Sequence, residues 1–196
     1  MERMEHEATA VHYPYLRGLL AVPLGVLFIL SGLGNMAWGP FAHSWVVIVA
    51  GVLAVAAYPV TALYYVKTYG RVVPKRNTST FIGANVLCVV VAVGGPILID
   101  VLNLPINGFA VSWAATVLVA YAVTIGLRTS HSLIWGTVLL LGLIPVWGDP
   151  ATTDSSNIGL VILGVAAIAT GILDHRVLVR MFDSFEPGDE VSHAAA

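Results

Sequence analysis

The sequence predicts an all-α membrane protein: a bundle of six transmembrane helices with N- and C-termini cytoplasmic. Of its 196 residues, 58% are hydrophobic and 10% charged, whereas a water-soluble domain has a charged fraction of about 25%. Mean hydropathy is +0.87. The apolar residues come in runs long enough to cross a bilayer, and every Lys and Arg lies near one set of run ends.

A spanning helix needs roughly 20 apolar residues, with a range of about 17 to 25. The segments that qualify run from about Leu16 to Met36, Ser44 to Val66, Phe81 to Leu102, Phe109 to Leu127, Ser132 to Trp147 and Ile158 to Leu173. The fifth and sixth are short. The stretch from Lys67 to Arg76 carries four of the nine Lys and Arg residues between two such runs. Positive charge this close to apolar segments is retained on the cytoplasmic side, which orients the neighbouring spans. With this loop inside, Arg3, Arg17, Arg128, Arg176 and Arg180 are inside as well, and the outer loops hold no Lys or Arg.

Trp and Tyr favour membrane interfaces, where an amphipathic ring has both apolar and wet neighbours. Trp38, Trp45, Trp113 and Trp147 fall at outer ends, and Tyr13, Tyr15, Tyr64, Tyr65 and Tyr69 at inner ends. Gly39-Pro40, Pro105-Ile-Asn-Gly108 and Gly148-Asp-Pro150 are turn signals, while Thr78-Ser-Thr80 and Asn157 are candidate helix N-caps. Residues 1–15 are expected to form a cytoplasmic N-terminal segment, 16–182 the membrane domain and 183–196 a disordered cytoplasmic tail. The N-terminus is acidic where a secretory signal is basic, so the first run is expected to stay as a permanent helix. Asn77-Thr-Ser matches the glycosylation pattern on the side of the membrane where that modification does not occur. Pro96-x-x-x-Asp100 and Pro145-x-x-x-Asp149 hint at a repeat, although Pro and Asp are both common where a helix ends.

An ionisable side chain at mid-bilayer costs about 2.5–3.5 kcal/mol on insertion scales and marks function by default. The spans hold none at mid-depth, only Asn85 and scattered hydroxyls, which argues against a proton relay or a voltage sensor. Helical spacing puts Asp174 on the apolar stripe of Leu178, Met181 and Phe185, away from Arg176 and Arg180. A cytoplasmic clasp is therefore expected, in which Asp174 pairs with Arg17, Arg128 or His131. In the third span, Gly94-Gly95-Pro96 interrupts the helix. With Asn85 and Asp100 it outlines a substrate path of the kind broken helices build. Ala50-x-x-x-Ala54 and Ala167-x-x-x-Gly171 are small-residue contacts between helices. His43, Asp100, Asp149 and Asp154 lack the close spacing of metal ligands, and Cys88 is a lone apolar filler.

No hydrolase, phosphate-binding or redox motif occurs, so neither enzymatic activity nor a cofactor is expected. The composition suggests no nucleic-acid partner. Lys67, Arg71, Lys75, Arg76, Arg176 and Arg180 form a surface for a partner or for anionic lipid. The expected partners are the lipid bilayer together with a second copy of the chain or another membrane or cytoplasmic protein. The expected role is that of a non-enzymatic accessory or regulatory protein of a bacterial-type plasma membrane. The alternative is a small permease or transporter subunit with its path along the third span.

Overall fold

The computed structural model describes residues 13, 16–69, 83, 86–124, 126–144 and 153–183, of which 153–155 and 183 are described by backbone alone. Asn85, Arg71, Lys75, Arg76, Asp149 and the Thr78-Ser-Thr80 cap lie outside these residues, as do both terminal tails.

A 3-10 turn, Gly18–Leu20, leads into α1 (Ala21–Asn35). The chain continues through α2 (Ser44–Tyr69), α3 (Val86–Val101), α4 (Gly108–Thr124), α5 (Thr129–Leu143) and α6 (Thr153–Asp183). Among the described residues there is no strand. Three stretches, Gly18–Asn35, Ser44–Tyr69 and Ser156–Phe182, are long and apolar enough to cross a membrane, and α3, α4 and α5 are shorter apolar helices.

The sixth helix is the longest, at 31 residues, or roughly 46 Å at 1.5 Å per residue. It begins before the expected Ile158 and runs on past Leu173. Asn157 is consequently no cap: it lies inside the helix, buried, and its side-chain oxygen accepts a hydrogen bond from Asn35 Nδ2 at 3.0 Å.

Helices α1 and α6 run antiparallel and form the most extensive contact of the fold. Their backbones meet at three levels. A Cβ on Gly25 would lie 2.6 Å from the Gly164 carbonyl oxygen, one on Gly32 would lie 2.5 Å from that of Asn157, and one on Gly18 would overlap that of Gly171. Gly18, Gly25 and Gly32 recur every seven residues, as do Asn157, Gly164 and Gly171. A seven-residue period keeps one stripe of a helix against its neighbour, and glycine there lets the backbones approach without a Cβ between them.

The remaining helices are arranged around this pair. α4 packs with α5, and both pack on α6. They enclose a core of Ala110, Ala114, Trp135, Val138, Leu163, Ala166 and Ala167. Trp135 is thus a core residue, and Phe28 of α1 meets Trp113 of α4 edge-on at 5.3 Å. α2 packs against α1 and the 3-10 turn, α3 against α4. Both keep most of their apolar side chains exposed, including Val52, Val60, Val90 and Ile97.

Two helix ends share one closing geometry. After α1, Trp38 N–H donates to Leu33 O and Ala37 N–H to Gly34 O; after α3, Leu104 N–H donates to Ile99 O and Asn103 N–H to Asp100 O. This is the left-handed cap that satisfies the last carbonyls of a helix. Ala37 and Asn103 carry the positive φ, 49° and 50°. Before α4, the Asn107 side-chain oxygen accepts Ala110 N–H at 3.0 Å, and the Asn107 backbone N–H donates to Gly142 O at 2.8 Å, tying that turn to the end of α5.

Pro96 lacks the N–H a regular helix needs, and the chain accommodates it with a π turn over Val90–Gly94 just before it. The helix continues through the proline as one element. Gly95 packs on Ser112 of α4, whose Cβ would lie 2.9 Å from an added Cβ, whereas Gly94 faces open space.

The seam and the π turn predict opposite responses to the same substitution. Gly25→Ala would press a methyl onto the backbone of α6 and is expected to destabilise by about 1–3 kcal/mol. Gly94→Ala, with nothing within 4 Å of the new Cβ, should be neutral or stabilising by up to about 1 kcal/mol. Thermal unfolding midpoints in detergent check the pair, and equal midpoints would contradict the packing described.

Candidate functional site

The end of the bundle that carries Arg17, Lys67, Arg128, Arg176 and Arg180 holds a buried polar cluster centred on Asp174. Asp174 is 2% exposed and His131 1%. His131 comes from the first turn of α5, Tyr121 from the last turn of α4 and Asp174 from α6. Asp174 Oδ1 is 2.9 Å from His131 Nε2, and Oδ2 accepts the Tyr121 hydroxyl proton at 2.5 Å. The imidazole is tilted on the Tyr121 ring with centroids 4.5 Å apart. Its other nitrogen, Nδ1, is 3.4 Å from Ser130 Oγ. A carboxylate out of contact with water thus receives donors from two separate helices, which offsets the cost of burying its charge.

Close backbone packing walls the cluster off on the α1 side. A Cβ at Gly18 would meet Asp174 Cβ at 2.6 Å, so only glycine allows the 3-10 turn to lie there. Arg17, one residue earlier, does not reach Asp174. Its guanidinium stacks over the Tyr65 ring, 5.6 Å from the centroid, a cation–π contact. Arg128 starts α5 and also makes no ion pair with Asp174: among the described residues the one carboxylate–base pair is His131–Asp174. Of the three expected partners, the structure brings only His131 to the carboxylate.

His175 faces the other way. Its Nδ1 is 3.2 Å from the Tyr65 hydroxyl, and that hydroxyl accepts Leu19 N–H at 3.0 Å. Tyr13 OH donates to the Tyr65 carbonyl at 3.2 Å, and burial pushes the Tyr13 phenol above its ordinary range against a smaller opposing pull from Arg17. Tyr13, Leu16, Tyr65 and Leu178 form the apolar packing beneath these bonds. Consecutive residues of α6 therefore tie it to α4 and α5 on one side and to α2 and the 3-10 turn on the other.

Of the expected substrate path, Asn85 lies outside the described residues and the other members are placed as follows. Gly94 faces open space and Gly95 is packed on Ser112, while Pro96 and Asp100 line a cleft at the end of the bundle away from Asp174. The hydroxyls of Thr61, Thr116, Thr124 and Thr170 each donate to a carbonyl one turn back in their own helix. Hydroxyls satisfied in this way do not need water or a substrate. Lys67, Arg176 and Arg180 are exposed at the basic end. Among the described residues no group of three His, Cys, Asp or Glu side chains comes together as a metal site.

Tyr121, Tyr65 and His175 are the contributors that sequence reasoning passed over. Tyr65 reads from the sequence only as an interface residue; for Tyr121 the available signal is its place near the basic end of the fourth apolar run, and for His175 its place next to Asp174. No family model, no curated protein and no solved structure matches the chain.

The cluster makes a graded prediction. His131→Ala leaves a buried carboxylate with one donor and is expected to cost about 3–5 kcal/mol, as for a broken buried pair. Tyr121→Phe removes one hydrogen bond to a charged group, worth about 1.5–3 kcal/mol. Chemical unfolding of the purified protein measures both, and a His131→Ala loss below that of Tyr121→Phe would contradict the assignment of Asp174 to His131.

Proposed function

We propose that this chain is a six-span integral protein of a bacterial-type plasma membrane, with both termini cytoplasmic, acting as a non-enzymatic accessory or regulatory subunit. The observation that carries this reading is the packing of the third span: in its Gly-Gly-Pro stretch Gly95 lies against Ser112 of α4, with an added Cβ 2.9 Å from the Ser112 Cβ, so this stretch serves helix contact on that side.

The positive-inside pattern supports the orientation, because Arg17, Lys67, Arg128, Arg176 and Arg180 stand at one end of the bundle. The short helices α3, α4 and α5 fit a six-span arrangement if the bilayer thins beside them, at a cost of fractions of a kcal/mol per Å of mismatch. α6 exceeds the hydrocarbon thickness of about 30 Å, so its final turns, with Arg176 and Arg180, stand clear of the apolar layer. These side chains and Lys67 form the surface for a cytoplasmic partner or for anionic lipid headgroups. The clasp holds this end rigid: Asp174 and His175 fix four helices and the N-terminal turn at one level. The exposed apolar faces of α2 and α3 are left to lipid or to a membrane partner.

Cysteine scanning in sealed vesicles tests this against the permease alternative. Single cysteines from Val86 to Val101 in a Cys88-free protein are expected to react with a water-soluble reagent only from Asp100 outward. Labelling that extends along one face to Val86 would establish an aqueous path and overturn the accessory reading.

A further inference from the structure

The cleft at the end opposite Asp174, lined by Pro96 and Asp100, is separate from the polar clasp. It measures about 480 Å³, within the 300–1,000 Å³ range of small-molecule sites. The left-handed cap at Asn103 turns the chain back on itself after α3, and the start of α4 seats on Pro96, with a Gly108 Cβ position 3.2 Å from Pro96 Cα. The cleft lies between the end of α3, this returning loop and the first described side chains of α6. Ile99, Ile106 and Phe109 give it apolar walls, and Asp100, Asn103 and Ser156 give it polar groups.

Its charge is one-sided. Asp100 makes no ion pair among the described residues, and the chain has no Lys or Arg between Arg76 and Arg128 or between Arg128 and Arg176. A carboxylate beside apolar walls, with every described Lys and Arg at the far end of the bundle, selects positive charge joined to an apolar body. Asn103 and Ser156 add hydrogen-bond acceptors for an N–H donor. An anionic or purely apolar ligand would leave the carboxylate repelled or unpaired.

We infer that this cleft binds an amphipathic ammonium compound, with Asp100 as its counter-ion. Two sources carry that chemistry, the amine headgroup of a membrane lipid and a free organic cation, and both suit a site at the level where headgroups meet hydrocarbon. The inference does not depend on the accessory reading, since it concerns recognition at one end and not passage through the bundle.

Titration of the full chain in nanodiscs tests it, with benzyltrimethylammonium as probe and its neutral isostere neopentylbenzene as control, read by ligand-observed saturation-transfer NMR. In discs of phosphatidylglycerol alone, the cation is expected to bind and the isostere to bind at least fivefold more weakly. Asp100→Asn should lower affinity for the cation about fivefold, as expected for a partly exposed charge pair, and Asp100→Glu should recover most of it. Asp100 is exposed, so both variants should keep the parent's unfolding midpoint, which is measured alongside. If phosphatidylethanolamine in the discs competes with the probe, the natural occupant is a lipid headgroup; if affinity is the same with and without it, the cleft takes a free cation. No saturable binding, equal binding of the isostere, or an Asp100→Asn variant that binds as the parent does would each overturn the inference.

Discussion

The fold depends on the contact between two backbones. Where α1 and α6 cross there is no room for a side chain on either helix at the Gly25–Gly164 level, and the carbonyl of each lies where the other's Cβ would be. In the membrane setting proposed above, helices gain little from burying leucine, because lipid tails are as apolar as the side chains they would replace. What holds them together is close van der Waals contact over a long stripe, supplemented by a few polar bonds. The first and last helices of the chain supply that stripe, so the intervening four are enclosed by an early-to-late contact. The Asn35–Asn157 hydrogen bond closes the seam at one end and Gly18, packed beneath Asp174, closes it at the other.

The polar clasp follows from the same constraint. Because Gly18 lets the 3-10 turn lie on α6, Asp174 is sealed on one flank and must find its donors on the other. Tyr121 and His131 provide them from α4 and α5. His175, one residue on and rotated by about 100°, meets Tyr65 of α2. Two adjacent residues thus convert the end of a single helix into a junction for the bundle. The opposite end is built differently, with capped turns, the Asn107 bonds and a cleft, and it holds no Lys or Arg among the described residues. The two ends therefore present different chemistry: a hydrogen-bonded, basic face and a partly open, acidic one.

Much of this architecture was legible in the sequence. Run lengths located six apolar helices, and 100° spacing placed Asp174 on a packed stripe. The seam was equally written there, as glycines seven residues apart in the first run and a matching Asn157, Gly164 and Gly171 series in the last. A four-residue small-residue spacing suits the Ala167 and Gly171 pair but does not mark an antiparallel heptad contact. Helix ends were harder to place. Asn157 looks like a cap because asparagine favours that position, yet tertiary pairing with Asn35 made it an interior residue and moved the start of α6 to Thr153. The Gly94-Gly95-Pro96 interruption reads the same whether it opens a binding site or allows close packing. Only the position of Ser112 separates the two, and no local pattern encodes it.

The most direct measurement of the central claim is the register of the seam. Cysteines placed at Asn35 and Asn157 in a Cys88-free protein should be joined rapidly and in high yield by a short bifunctional thiol reagent, because the native side chains meet at 3.0 Å. A control pair at Asn35 and Val165, an exposed position about two helical turns along α6, should remain unlinked. Cross-linking that favours the control pair, or that is equally slow in both, would mean that α1 and α6 do not pack in this register.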